Sequence, residues 1–378
     1  MTPNRSYRCW AEIDLAALER NLFHIRDRLP PGIRYVAVVK ADAYGHGVHP
    51  TVARLMQANA DAFAVANVEE GATLREIALG WPILVLGPVL PGEEEALVDL
   101  GLVATVSSVA EAARFNRAAE RRGRPLEVHL NVDTGMGRLG AWHEDAGTVF
   151  DAVAAAPGLR LRGAYTHYSD AVESPGFTGL QRERFLAAIR GRIPPDDGFL
   201  VHADNSAGTE AFDRRSPFNA VRVGLLQFGV TQYPESVFRS VSIEPVFRFL
   251  TRVGLVKDLP AGTPVSYGRT FVTRRPTRTA ILTAGYGDGL PTAASNRGEV
   301  LVRGHRCPIL GRVTMDQTIV DATGVPDVAP GDRATLIGAE DGGEITVSEF
   351  SRWTDSIPWE VFCSVTKRVP RVYTTART

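Results

Sequence analysis

The sequence predicts an α/β protein: a closed (β/α)8 barrel of the TIM type followed by a mostly β C-terminal domain. Three observations carry that expectation. The chain has 378 residues, well beyond the roughly 250 of a lone barrel. Eight short apolar, β-rich runs alternate with helix-spaced segments up to Gly224. From about Ser242 onward, strand patterns follow one another without intervening helices.

The eight runs are Tyr35 to Val39, Ala62 to Ala66, Pro82 to Gly87, Val103 to Val106, Leu126 to Val132, Leu159 to Thr166, Phe199 to His202 and Ala220 to Gly224. Helical spacing marks segments between them, among them Val48 to Asn59, Val68 to Leu79, Ser108 to Arg122 and Leu180 to Arg190. Strands apolar on both faces and separated by helices belong to a parallel sheet, and eight repeats suit closure into a barrel. An open doubly wound sheet is the alternative. One further helix precedes the first strand: Asp14 can cap it, and Leu15, Leu18, Leu22, Ile25 and Leu29 form its apolar stripe. It is expected to fill the outer-ring position after strand eight.

The second half offers strands at Val246 to Lys257, Thr279 to Ala284, Glu299 to Val302, Thr318 to Asp321 and Arg333 to Ile337. A single short helix is signalled by Thr346 with Glu349 three residues on, a capping box ahead of Phe350 and Trp353. The expected domains are residues 12–242 for the barrel and 243–378 for the β-rich part, with residues 1–11 joining the latter.

Forty-two Lys and Arg balance 43 Asp and Glu, for a formal charge of -1. No sequence-wide positive field exists to attract nucleic acid or anionic lipid. With 44% hydrophobic and 22% charged residues, the chain can bury a large core and is not disordered. No apolar stretch approaches the eighteen or so residues of a membrane span, and Met1 to Asp14 lacks a signal-peptide core. The three cysteines, Cys9, Cys307 and Cys363, are few and far apart, which fits buried apolar thiols in a reducing, cytoplasmic setting better than disulfides or a metal.

The chemistry begins at Ala37-Val38-Val39-Lys40-Ala41-Asp42-Ala43-Tyr44-Gly45-His46-Gly47. Lys40 ends an apolar strand, and in a barrel that end is the mouth where active sites are built. An amine among apolar walls loses ammonium stability and becomes a usable nucleophile, as in a Schiff-base lysine. Taken alone, Val-Val-Lys is better described as a strand-end lysine snorkelling into water. The following residues favour the nucleophile: Gly45 and Gly47 permit a tight turn, and Tyr44 offers a hydroxyl where a phosphate could sit. A second motif invites a rival, because Gly135, Gly137 and Gly140 satisfy the dinucleotide fingerprint after a strand. That fingerprint expects an acidic ribose ligand at the end of the next strand, and Leu159 to Thr166 holds none. A glycine-rich turn aiming Arg138 inward accounts for the same residues.

Here the sequence resembles the alanine racemases, barrel-type enzymes that use pyridoxal phosphate (PLP), over essentially its whole length. The motifs occur in the family's order: the Lys40 segment; Asp133-Thr134-Gly135-Met136-Gly137-Arg138-Leu139-Gly140; His167; His202 with Asn205-Ser206; and Arg222-Val223-Gly224. In the second half they are Val265-Ser266-Tyr267-Gly268, Gly285-Tyr286-Gly287-Asp288-Gly289, Gly311-Arg312-Val313 with Met315-Asp316, and Arg368-Val369-Pro370-Arg371.

The resemblance implies interconversion of L- and D-alanine by a two-base PLP mechanism, supplying D-alanine for peptidoglycan. Lys40 carries the cofactor and is one base. Tyr267 is the other and reaches the site of the opposite subunit, so a homodimer is implied. A free phenol titrates near pH 10, so such a base calls for positive neighbours, and His167 and Arg222 are the candidates. The cofactor phosphate is held by Tyr44, Ser206 and backbone amides near Gly224 and Leu225, with Asn205 beside them; Ser206 alone reads equally as a helix cap. Arg222 partners the pyridine nitrogen. Because guanidinium hardly ever gives up a proton, the ring stays a modest electron sink, which restricts transamination. Arg138, helped by the Met315 amide, faces the substrate carboxylate. His202 supports the site, and Tyr286 and Asp316 line its entry.

Two departures from the family pattern stand out. Asn131 replaces a lysine that is often carbamylated, so a bound anion such as chloride, or a water, is expected against Arg138. Trp359 replaces a tyrosine that helps hold the phosphate and bounds the pocket, which opens the preference for alanine over serine or bulkier amino acids. Thr314 and Phe228 replace a frequent cysteine and a frequent tyrosine, with little consequence expected. A broader-specificity racemase is one alternative. A barrel-type PLP decarboxylase lacks its β-domain cysteine motif here, and a PLP carrier would be a single barrel; a dinucleotide oxidoreductase is the most distant reading.

Overall fold

The computed structural model describes residues 7–194, 198–212, 217–231, 236, 238 and 243–375. They pack as two compact units: Leu18–Ala43 with Val48–Glu244, and the chain through Ala17 with Tyr44–Gly47 and everything from Pro245. The boundary expected after residue 242 falls at residues 239–242, outside the described residues, as do residues 1–6.

In the first unit, eight parallel strands close on themselves: Arg34–Val38, Ala62–Val65, Ile83–Val85, Val103–Val106, Leu126–Asp133, Leu159–Tyr165, Leu200–His202 and Ala220–Val223. Each pairs with the next, and the last pairs with the first through Val221 opposite Tyr35 and Arg222 opposite Val36. The closed barrel replaces the open-sheet alternative. Four of these strands are buried at every residue, as expected of strands covered by helices outside and side-chain layers inside. The third strand is shorter than its apolar run because Pro82 has no N–H for the ladder, while its carbonyl still accepts from Phe63 N at 2.9 Å.

The outer ring starts with helix Leu15–Arg28. Asp14 Oδ1 accepts from Ala16 N and Ala17 N, both at 2.9 Å, and Leu18, Leu22 and Ile25 are fully buried. Arg20 pairs with Glu244 at 2.7 Å, and Asn21 Nδ2 donates to Gln227 O at 3.1 Å and Glu244 O at 2.8 Å. The helix therefore docks on the chain that follows strand eight. Helices Val68–Arg75 and Val109–Arg122 are capped by Asn67 and Ser108, which accept from Glu70 N and Glu111 N.

The glycine-rich segment after strand five is a turn and not a helix start. Asp133 Oδ1 accepts from Gly135 N, Met136 N and Gly137 N at 2.9, 2.9 and 3.1 Å, and the chain then adds a two-residue strand, Ala141–Trp142, beside strand five. Gly140 has φ +113°, and a Cβ there would lie 2.6 Å from Asp133 N. The dinucleotide reading has no helix to bind a pyrophosphate.

The second unit is mostly β. Its main sheet orders the strands His305–Pro308, Glu299–Val302, Arg333–Glu340, Phe247–Leu259, Cys9–Asp14 and Arg371–Thr374, with Thr277–Leu282 and Thr318–Asp321 branching from Phe247–Leu259. The N-terminal strand is antiparallel to Phe247–Leu259 and parallel to Arg371–Thr374. The expected short helix is Val347–Trp353, capped by Thr346 accepting from Glu349 N. A second, Pro358–Ser364, escaped the sequence pattern because it is only seven residues long and has no side-chain cap; Pro358 at its first position was the available signal. Among the described residues, no helix is long and apolar enough to cross a membrane, and no cluster of His, Cys, Asp and Glu could hold a metal.

Candidate active site at the barrel mouth

Strand one delivers Lys40 to the C-terminal end of the barrel and then turns in an uncommon way. Ala41, Asp42, Ala43 and Tyr44 all have φ between 52° and 55°, a left-handed turn that costs roughly 1–2 kcal/mol per L-residue. Its restraints are specific. Glu70 Oε1 accepts from Ala41 N at 2.8 Å while Oε2 accepts from Ala66 N at 2.8 Å, and Asp42 Oδ1 accepts from Val48 N at 2.7 Å. Glu70 thus ties the backbone after Lys40 to the end of strand two. Sequence reasoning missed this role, since Glu70 looks like a surface residue in a capped first turn.

Lys40 lines a cavity of about 190 Å³ with Ala66, Leu86, Asn131, Met136, Arg138 and His167. The chain has only three lysines, Lys40, Lys257 and Lys367, and Lys40 alone ends a barrel strand. Asn131 is 5% exposed, and its Oδ1 has no hydrogen-bond partner. An orphaned buried acceptor of this kind costs about 1–3 kcal/mol and calls for a donor in the cavity.

Arg222, 2% exposed, leaves strand eight into the middle of the barrel. Its NH1 donates to His202 Nδ1 at 2.7 Å, and its NH2 donates to Thr166 O at 2.8 Å, Ala203 O at 3.0 Å and His167 Nδ1 at 3.2 Å. None of these contacts uses Nε. The guanidinium also sits 5.0 Å above the Tyr165 ring, and Tyr165 stacks on His202 at 5.0 Å. Burial draws the Arg222 pKa below its usual value, yet a guanidinium stays charged at neutral pH. His167 is pushed to about 3, by burial first and then by Arg222, Arg138 and Lys40. It is neutral and supplies no positive charge, contrary to the expectation from the sequence. Thr134 and Thr166 share a hydroxyl hydrogen bond of 2.7 Å, and Gln181 Nε2 donates to Thr134 Oγ1 at 3.1 Å and His167 O at 3.2 Å.

The helix after strand seven, Ser206–Glu210, is capped by Asn205, whose side chain accepts from Gly208 N at 2.9 Å. Ser206 is therefore released from the capping role that its position suggested. Its hydroxyl accepts instead from Gly224 N at 2.9 Å and Leu226 N at 3.3 Å, beside Leu225. This gathers a hydroxyl and the Gly224 and Leu226 amides at the ends of strands seven and eight, neutral groups of the kind that bind anions.

The remaining expected residues belong to the second unit. Tyr44 is 6% exposed, and its neighbour Gly45 has φ +75° with the Phe362 carbonyl 2.5 Å from where a Cβ would be. Tyr267, by contrast, is 72% exposed. It sits on a turn where Ser266, Gly268 and Arg269 have φ of 61°, 69° and 50°, held by Ser266 Oγ donating to Arg312 O at 2.6 Å. Two non-glycine residues in this region cost energy that the contacts around them must offset. Met315 and Tyr286 are also exposed. Arg368 clamps their loops, meeting Asp288 at 2.7 and 2.8 Å, Asp316 at 2.9 Å and Met315 O at 3.3 Å. Trp359 is half-buried on helix Pro358–Ser364.

A closed parallel barrel with an amine, guanidinium groups and a hydroxyl-amide cradle at the C-terminal ends of its strands belongs to the class of (β/α)8-barrel enzymes. The donor set also suits PLP: one lysine for the aldehyde, one permanent donor for the ring, and neutral donors for the phosphate. Comparison with known proteins narrows the class. Family models described as alanine racemase, N-terminal domain and alanine racemase, C-terminal domain match residues 13–232 and 246–373. Alanine racemases of Symbiobacterium thermophilum and Halothermothrix orenii are 41% and 38% identical, each over 96% of both chains. The alanine racemase structure from Streptomyces lavendulae superposes with a TM-score of 0.91 at 32% identity over 99% of both chains. That from Bartonella henselae, with covalently bound pyridoxal phosphate, gives 0.88 at 28% identity over 97% of this chain and all of its own. The chain belongs to the alanine racemase family, PLP-dependent isomerases.

Proposed function

We propose that this protein interconverts L- and D-alanine, with Lys40 and Tyr267 as the two bases. The observation that carries the reading is Lys40, held at the barrel mouth by the Glu70-braced turn, facing a cavity shared with Arg138 and His167. Bound PLP supplies an electron sink that acidifies the substrate α-carbon. Lys40 holds the cofactor aldehyde and moves a proton on one side, and Tyr267 moves it on the other. Arg138, with the Met315 amide, takes the substrate carboxylate. Arg222 serves the ring nitrogen as a donor that does not release its proton, while Ser206, Gly224, Leu225 and Tyr44 hold the phosphate, with Asn205 fixing the Ser206 helix. His167 and His202 act as neutral acceptors that orient Arg222, and Tyr286 and Asp316 border the entry.

The exposure of Tyr267 within its own chain supports a homodimer in which it serves the partner's site. A division at residues 12–242 and 243–378, with residues 1–11 joining the second domain, remains our proposal, as do a cytoplasmic location and the supply of D-alanine to peptidoglycan. At Asn131, the orphaned Oδ1 favours a water that donates to it and accepts from Arg138. Chloride would require the amide turned so that its NH2 faces inward; a bromide-soaked crystal with anomalous density there would select chloride.

The test is incubation with L-alanine in heavy water, following chirality and α-deuterium together. Deuterated D-alanine is the expected product. Release of carbon dioxide instead would overturn the reading in favour of a decarboxylase, and an equal rate on serine would establish the broader-specificity racemase.

A further inference from the structure

Behind Arg222 the hydrogen bonds continue away from the mouth. His202 Nε2 lies 3.0 Å from His129 Nδ1, and both rings are buried. Arg222 fixes the direction of this column, because a guanidinium only donates. His202 Nδ1 must accept from Arg222 NH1, so the single proton of the neutral His202 ring is on Nε2. That proton is donated to His129 Nδ1, which places the His129 proton on Nε2. The reverse arrangement would put an N–H of His202 against an N–H of Arg222.

Burial and the Arg222 charge hold His129 at about 3 and His202 well below its usual value, so both rings are neutral, as the column requires. Space for the second imidazole is built in. A Cβ on Gly163 would lie 2.7 Å from His129 Cε1 and 2.8 Å from its Nδ1. On its far side His129 lines a cavity of about 280 Å³ with Arg34, Ala62, Pro82, Leu84, Val103 and Leu200, residues at or near the starts of barrel strands, opposite the mouth.

We infer that His129 is a positioning residue: it accepts the proton that the Arg222 contact forces onto His202 Nε2, and thereby holds the Arg222 guanidinium in its orientation toward the barrel mouth. Without an acceptor at position 129, the Nε2 proton of His202 is a buried orphan. Moving that proton to Nδ1 satisfies nothing, since it then opposes Arg222. Either outcome loosens Arg222. The inference rests on the proposed role of Arg222 toward the cofactor ring, and its test separates the two.

The experiment uses the holoenzyme labelled with 15N-histidine. In the wild type, long-range 15N–1H spectra should show His129 and His202 neutral and protonated on Nε2. His129→Leu should shift the His202 Nε2–H signals and lower kcat about tenfold, the scale of one hydrogen bond to a charged group, with KM within about twofold. His129→Asn, whose Oδ1 can replace the ring acceptor, should restore kcat to within about threefold. For a His129→Gly variant, free imidazole entering the adjoining cavity should raise kcat. A wild type with His202 protonated on Nδ1 or doubly protonated, or a folded His129→Leu variant with unchanged His202 signals and kcat, overturns the inference. A wild type that takes up no PLP sinks the proposed function instead, leaving the tautomers to be read separately.

Discussion

Three neutral, buried histidines make a quantitative prediction about acid. His129 and His167 are held at about 3 and His202 well below its ordinary value, in each case chiefly by burial, whereas an unfolded histidine titrates near 6.5. These are bases whose folded pKa is lowered, so below pH 6.5 the unfolded chain binds protons that the folded chain refuses. Their contribution to stability is complete above about 6.5 and is lost as the pH falls, down to about 3 for His129 and His167. His129 and His167 each change the unfolding free energy by about 1.4 kcal/mol per pH unit within that window, or about 2 kcal/mol between pH 7.5 and 5. Together these two remove about 4 kcal/mol, with His202 acting in the same direction, a sizeable part of the roughly 5–15 kcal/mol that keeps a domain folded. The assay is proton uptake on urea unfolding at pH 5 in weakly buffered solution. Carboxylates contribute as well, so the discriminating quantity is the difference between wild type and His129→Asn, expected to be about one proton fewer in the variant. Equal uptake would mean that His129 is already protonated in the folded state, and the argument from burial would fail.

Removing the Glu70 carboxylate by Glu70→Ala takes two charge-assisted acceptors from the left-handed turn after Lys40; a loss of roughly 2–4 kcal/mol in urea unfolding is expected, with weaker PLP retention on dialysis. Tyr267→Phe should reduce racemisation by at least about 10³-fold, on the scale of losing general-base help, while the PLP absorbance of the protein persists; loss of both would contradict its assignment as a base. Trp359→Tyr should change the ratio of kcat/KM for alanine over serine by roughly tenfold, within the 1–3 kcal/mol that pocket shape commands, and an unchanged ratio would remove Trp359 from the pocket wall.

What the sequence made legible follows from how local each signal is. The barrel strands announce themselves because both their faces are buried, and the Asp14 and Thr346 caps because a side chain two or three residues away satisfies a backbone amide. Lys40, Arg138, His167, His202, Ser206 and Arg222 stand at strand ends, where the barrel reading alone makes polar residues suspicious. Glu70 and His129 were not legible. Glu70 acts on Ala41, distant in sequence, through backbone amides that leave no pattern, and His129 inside an apolar strand reads as a satisfied core histidine until its partner is known. The charge of His167 was also beyond the sequence, because burial and not residue type decides it.

The most direct measurement is reduction of the PLP-loaded protein with borohydride followed by peptide mapping. With only Lys40, Lys257 and Lys367 available, a pyridoxyl phosphate adduct is expected on the peptide carrying Lys40 and on no other. An adduct at Lys257 or Lys367, or none at all in a protein that still racemises alanine, would contradict it.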